Sequence, residues 1–169
     1  MKKIFIAIFC LSVIGVVQAE PVKLDGGWYL NTWSGYNPLP KMTTAKDGSI
    51  SFTEVKGKYG FGILNRKRLT VKAGDTVKFT AVVKGKGKIF LQLQNYDAQG
   101  RWTGVAGRGI WIDIPADWKE ITMTQKVIDI NKKITAATVV TTGTGKGHEL
   151  QIKNATAEVI PAPAKKAGK

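Results

Sequence analysis

Cysteine is almost missing: Cys10 is the only one in 169 residues, and it lies inside an apolar run at the N-terminus. The rest of the chain has no disulfide and no thiolate metal site, so its stability must come from packing and backbone pairing. Histidine is as scarce. With His148 alone, His/Cys zinc spacings are excluded and a Ser-His-Asp site would rest on that one imidazole. Acids number 12 against 26 Lys and Arg. Asp113, Glu54 and Asp97 are present, yet no spacing singles out the carboxylate pair that glycoside hydrolysis uses. No phosphate-binding loop occurs either, because the glycine-rich stretch 143–147 reads as a turn and does not feed a helix. These absences lead to the expectation of a protein that is not an enzyme and that holds no metal and no cofactor.

Long apolar runs are confined to one place. Lys2 and Lys3 precede an apolar segment, residues 4–17, which ends in the small-residue pattern Val17, Gln18, Ala19. That is the layout of a secretory signal peptide over residues 1–19, too short for the roughly 18–20 apolar residues of a bilayer span. Cys10 is a poor lipidation site, since the bulky Phe9 precedes it. The expected product begins at Glu20, is secreted or periplasmic, and has no membrane span. Taking residues 1–19 off the 169 leaves 150, a length that suits one domain. Taking Lys2 and Lys3 off the net charge of +14 leaves +12. The lysines are scattered, which fits either a solvated surface or a long-range field that attracts polyanions.

From Gly27 onward the chain repeats short segments rich in Val, Ile, Thr, Phe and Trp, bounded by Gly, Asp, Asn or Lys. Strands are expected at residues 28–32, 49–55, 60–64, 69–71, 76–84, 88–96, 109–114, 119–128, 135–142 and 149–159. No window shows helical periodicity with caps. The fold class this predicts is all-β, an antiparallel β-sandwich, with one domain over residues 20–160. Turns are expected at 73–75 and 97–100, and a tight hairpin at Gly85, Lys86 and Gly87. Residues 161–169 have almost nothing to bury and read as a disordered basic tail.

Alternation sorts each strand onto two faces. In 76–84, Val77, Phe79, Ala81 and Val83 face inward; in 119–128, Ile121, Met123 and Val127 do. In 88–96, Ile89, Leu91 and Leu93 complete a core face, and the opposite face carries Phe90, Gln92, Gln94 and Tyr96. Rings interleaved with primary amides suit sugars: rings stack on C–H faces, and amides both donate and accept. Ile110, Ile112 and Ile114 likewise put Trp111 on the other side of their strand. Trp33, Tyr36 and Trp102 lie in turn-rich segments and would form a rim. Lys84, Lys86, Lys88 and Arg101 would read negative charge. Trp118, opening a strand, is expected in the core.

The order of these segments resembles the jelly-roll carbohydrate-binding modules attached to bacterial cellulases and xylanases. The matching features are Gly26-Gly27-Trp28, residues 69–79, 81–85 and 89–100, the stretch Asp117 to Ile121 beginning with Trp118, and the closing strand 150–159. The resemblance implies a jelly roll, no catalysis, and a concave sheet face on which a polysaccharide lies. Many such modules hold a calcium ion near the last strand. Here that neighbourhood reads Gln151, Lys153 and Asn154, and a lysine would repel a dication. The strong positive charge also departs from modules for neutral glucans. The functional expectation is therefore a secreted glycan-binding protein for a neutral or acidic polysaccharide. Two alternatives stay open: a basic surface or matrix protein adhering to anionic cell-surface polymers by charge, and a structural sandwich of a cell envelope.

Overall fold

The computed structural model describes residues 20–30, 41–53, 61–106, 110–129 and 133–163. The predicted signal peptide thus lies outside the described residues. Ten strands run in chain order: β1 (Val22–Lys23), β2 (Trp28–Leu30), β3 (Lys41–Thr44), β4 (Ile50–Thr53), β5 (Phe61–Thr70), β6 (Thr76–Tyr96), β7 (Trp102–Ala106), β8 (Ile112–Asp113), β9 (Lys119–Lys126) and β10 (Ala136–Ile160). Every pairing is antiparallel. No helix occurs among the described residues.

β6 and β10 pair along almost their whole lengths, from Ala136 opposite Tyr96 to Ile160 opposite Thr76. Each passes through both layers of the sandwich. In the front layer the first part of β10 pairs with β5, which pairs with β2, while the second part of β6 pairs with β7 and β8. In the back layer the second part of β10 pairs with β4 and β1, β4 pairs with β3, and the first part of β6 pairs with β9. One hydrogen-bonded sheet is in this way folded upon itself into a jelly-roll sandwich.

The core follows from the alternation. Val77, Phe79, Ala81 and Val83 from the back layer join Ile89, Leu91 and Leu93 from the front layer in a single buried cluster. The inward parity of β6 therefore continues through its bend. Trp28 of β2 meets Phe79 across the sandwich edge-on, with ring centroids 6.3 Å apart. Burying each large side chain of this kind contributes about 1.5–3 kcal/mol. Ile121, Met123 and Val127 are buried as the pattern predicts.

Several boundaries differ from the sequence reading. Among the described residues the expected strands at 60–64 and 69–71 merge into β5 (Phe61–Thr70), 76–84 and 88–96 into β6, and 135–142 and 149–159 into β10 (Ala136–Ile160). The expected hairpin at Gly85-Lys86-Gly87 is instead the bend that carries β6 between layers, with φ of 149° at Gly85 and 103° at Gly87. Gly85 donates its N–H to Pro115 O at 2.9 Å, and Ile114 N–H is donated to Gly87 O at 2.9 Å. Residues 143–147 are part of β10, beside a register shift between Thr144 and Glu149, and are not a separate turn. Of the expected strand at 109–114, Gly109 lies outside the described residues and only Ile112–Asp113 pair, as β8, leaving Ile110 84% exposed. Trp118 is 40% exposed and not in the core; Lys153 Nζ sits 4.2 Å from its ring centre on the outside of the back layer. β1, β3 and β7 are strands that alternation does not reveal, being short or interrupted by glycine.

Two expected turns are present. Asp75 N–H bonds to Lys72 O at 3.1 Å, with Gly74 at φ 92°. At 97–100, Gly100 N–H bonds to Asp97 O at 2.9 Å with φ 75°. The start of the tail is tied down, because Ala162 N–H bonds to Asp75 Oδ1 at 3.0 Å; residues 164–169 lie outside the described residues. The Asp97 carboxylate accepts from Gln99 N and Arg101 N at 3.0 and 2.9 Å and from Arg101 Nε at 2.8 Å. The Arg101 backbone bond, with its guanidinium, holds the Asp97 carboxyl below the ordinary aspartate range.

Two outcomes follow. A β-carbon at Gly85 would overlap the Glu149 carbonyl, whereas one at Gly48 (φ 79°) meets open space. Gly85→Ala is expected to cost about 3 kcal/mol and Gly48→Ala about 1 kcal/mol in denaturant unfolding. Because Asp97's carboxyl is depressed in the folded state, its contribution is complete above the unfolded value and fades as pH falls through the folded one. Thermal melts down a series of acid pH values should show Asp97→Asn less stable than the parent at neutral pH, with a shallower loss on the acid side.

Candidate functional site

Strand parity places a second set of side chains on the face of the front layer that points away from the core. β6 sends Lys88, Phe90, Gln92, Gln94 and Tyr96 there, since Ile89, Leu91 and Leu93 point inward. Register extends the face sideways. Gln94 is opposite Thr138 and Val105, and Thr138 is in turn opposite Arg68. Tyr96 is opposite Trp102 on one side and Ala136 on the other. Tyr29 is opposite Leu64, which is buried but lies outside the core cluster, as expected for this outer face.

Its floor is closed. Phe90 is 6% exposed because Trp111 lies against it, ring centroids 4.2 Å apart and planes at 72°. Gln94 is 4% exposed and its Oε1 accepts the Tyr96 hydroxyl at 2.9 Å. These two residues therefore do not present a ring and an amide to solvent, as the alternation alone suggests; Phe90 props Trp111 and Gln94 fixes Tyr96. Gln92 and Tyr96 are half-buried. The open rings are Trp102, 57% exposed, and Trp111, 38% exposed. Trp33 and Tyr36 lie outside the described residues.

The charges are arranged differently from the sequence reading. Arg101 turns back onto Asp97, with Nη2 to Oδ2 at 2.8 Å, and so serves its own turn. Lys88 forms an exposed ion pair with Asp113 at 3.6 Å. Lys84 pairs with Gln151 in the back layer, and Lys86 sits in the β6 bend. Two residues that the sequence did not single out are on the face instead. Arg68 stacks its guanidinium 4.2 Å from the Tyr96 ring centre, and Arg66 lies 5.7 Å from that of Tyr29. Burial, and next the neighbouring Tyr96, push the Tyr29 phenol up, while Arg66 and Arg68 pull it down. The two tyrosine–arginine pairs thus feel each other.

Asn65 explains how β5 presents both arginines. Between Leu64 and Arg68 the strand bulges, since the next β10 positions paired are Val140 and Thr138. Fully buried Asn65 fills the bulge, donating to Leu24 O at 2.6 Å and accepting Lys67 N–H at 2.9 Å. In sequence, Asn65-Arg66-Lys67-Arg68 reads as a polar loop, because only pairing to β2 and β10 makes it strand. Among the described residues, no three His, Cys, Asp or Glu converge as metal ligands. A cleft at the end of the sandwich, lined by Gly85, Lys86, Gly87, Lys88, Asp113, Ile114 and Ala116, adjoins this face at Lys88.

No sequence-family model and no curated protein matches this chain. Its fold is similar to that of the CBM22-1 xylan-binding domain from Paenibacillus barcinonensis Xyn10C, with TM-score 0.53 and 11% identity over 86% of this chain and 96% of that one. A mutant of CBM29-2, a family 29 carbohydrate-binding module complexed with mannohexaose, gives TM-score 0.53 and 12% identity over 86% and 95%. A CBM4 structure gives TM-score 0.51 and 14% identity over 78% and 86%. At these identities the likeness is one of fold, and the chain has the jelly-roll sandwich of such carbohydrate-binding modules.

Proposed function

We propose that this chain is an exported, non-catalytic glycan-binding protein that holds a polysaccharide against the outer face of its front layer. The observation that carries the reading is the pair of exposed indoles, Trp102 and Trp111, set on β7 and beside β8 at one side of a face that also carries amides, threonine, tyrosines and two arginines. Indole rings provide apolar area for the C–H faces of sugar rings, and Gln92 provides donors and acceptors for hydroxyls. The fold shared with a xylan-binding domain and with a module complexed with mannohexaose supports the same reading. So does the supporting layer below: Phe90 against Trp111 and Gln94 against Tyr96 hold these rings before any ligand arrives, which lowers the ordering cost of binding. The N-terminal segment and the low cysteine count fit export.

Affinity electrophoresis through gels containing a panel of soluble polysaccharides tests the site. Trp102→Ala and Trp111→Ala are each expected to weaken retention by the best ligand about tenfold, with circular dichroism unchanged. Trp118→Ala, on the outside of the back layer, should retain parental binding. Equal losses from all three substitutions, or none from the first two, would mean that the polymer lies elsewhere. Retention that collapses uniformly with salt and does not distinguish stereoisomeric sugars would support adhesion by charge alone.

A further inference from the structure

Arg66 and Arg68 are both exposed, and neither has a carboxylate partner among the described residues. Two acids lie close in the chain to groups that these arginines contact. Asp25 is in the turn before Gly27, whose carbonyl accepts the Arg66 backbone N–H, and Asp97 opens the turn whose Gly100 O Arg68 reaches. Asp97 is held by Arg101, and neither acid is ion-paired with Arg66 or Arg68 among the described residues. Of the residues that register and parity place on this face, only Asp113 is acidic, and it is already paired with Lys88 at the far edge. Each guanidinium lies over a tyrosine ring, and Tyr96 is itself fixed through its hydroxyl to buried Gln94. Stacking uses the flat face of a guanidinium and leaves its N–H edge available to other groups. Arg68 adds one long contact, 3.4 Å, from Nη2 to Gly100 O. Arg66 and Arg68 are two residues apart in the bulged part of β5, so both project from one short stretch of the strand.

A neutral polymer laid across this face would strip water from two guanidiniums without replacing it by charge, a cost of the kind that buried unpaired ions incur. A polymer that carries carboxylates turns the same desolvation into charge-assisted hydrogen bonds, which are roughly twice as strong as neutral ones. A uronic acid combines both needs, with an apolar pyranose face for the open indoles and a planar carboxylate that matches the guanidinium fork. We propose that the face takes an acidic polysaccharide of the uronate class, with Arg66 and Arg68 reading its carboxylates; this rests on the glycan-binding reading above.

The test uses the purified protein with polygalacturonate, alginate, their methyl-esterified forms, and neutral xylan and mannan, titrated by calorimetry at two salt concentrations. The parent is expected to bind at least one polyuronate about tenfold more tightly than its ester. The double substitution Arg66→Gln/Arg68→Gln should abolish that preference while leaving ester binding in place. Lys119→Gln/Lys126→Gln, which removes the same charge from β9, should leave the preference intact. Arg68→Lys keeps the charge and loses the planar fork, so it should weaken polyuronate binding severalfold, and it serves if the double variant does not fold.

Equal affinity for acid and ester, or binding to neutral chains alone, overturns this inference and leaves the glycan-binding reading standing. If the lysine pair costs as much as the arginine pair, diffuse charge attracts the polymer and the inference falls. Binding to none of these polymers overturns both.

Discussion

The pairing of β6 with β10 is the constraint on which the rest of the molecule depends. These two strands hydrogen-bond to each other through both layers, and every other strand pairs with one of them, directly or through one further strand. A jelly roll with no disulfide to hold its layers together uses this continuity as its tie. Any change in register at one end propagates along the pair, because a slip of one residue exchanges inward and outward faces. The same continuity fixes the candidate site. The parity that buries Val77 and Phe79 in the back layer decides that Phe90, Gln94 and Tyr96 point outward in the front one.

That continuity requires the strands to bend. Gly85 and Gly87 supply a backbone conformation that side-chain-bearing residues rarely adopt, at the point where β6 passes from layer to layer, and β10 shifts register opposite it. The close approach of Gly85 to the Glu149 carbonyl shows how tightly the strands remain paired there. The cleft lined by Lys86, Lys88 and Asp113 is a by-product of this corner, a hollow left where two layers diverge. It is continuous with the candidate face only through Lys88.

Much of the architecture was legible because inward parity is a local property. The odd-numbered positions from Val77 to Val83, Ile89 to Leu93, and Ile121 to Met123 are all apolar, and each set is buried. What alternation does not carry is continuity. A glycine-lysine-glycine run reads as a hairpin, because the local chemistry of a turn and of a corner in a long strand is the same. Nor does it carry what lies above a face. Phe90 and Gln94 do point away from the core, but Trp111 from beside β8 lies on the first, and the second is bonded by Tyr96, over which Arg68 arrives from β5. Trp118 failed in the opposite sense, because Lys153 satisfies its ring on the surface.

The charge of the chain gains a different meaning from its placement. Lysines occur in both layers, among them Lys78, Lys119, Lys126 and Lys153 on the back one and Lys67 and Lys88 on the front one, and together they contribute mainly a long-range field. The arginines of the front face are held by rings, with Asn65 setting the bulge from which they project. Lysine would not serve there equally, since its compact ammonium neither stacks flat on a tyrosine nor offers a two-pronged edge. The separation is informative: a surface made only for solubility or diffuse adhesion has no need to place two guanidiniums on rings without an ion-pair partner among the described residues. The field of the whole molecule would draw an acidic chain in, and the ordered arginines would determine where along the face its carboxylates come to rest.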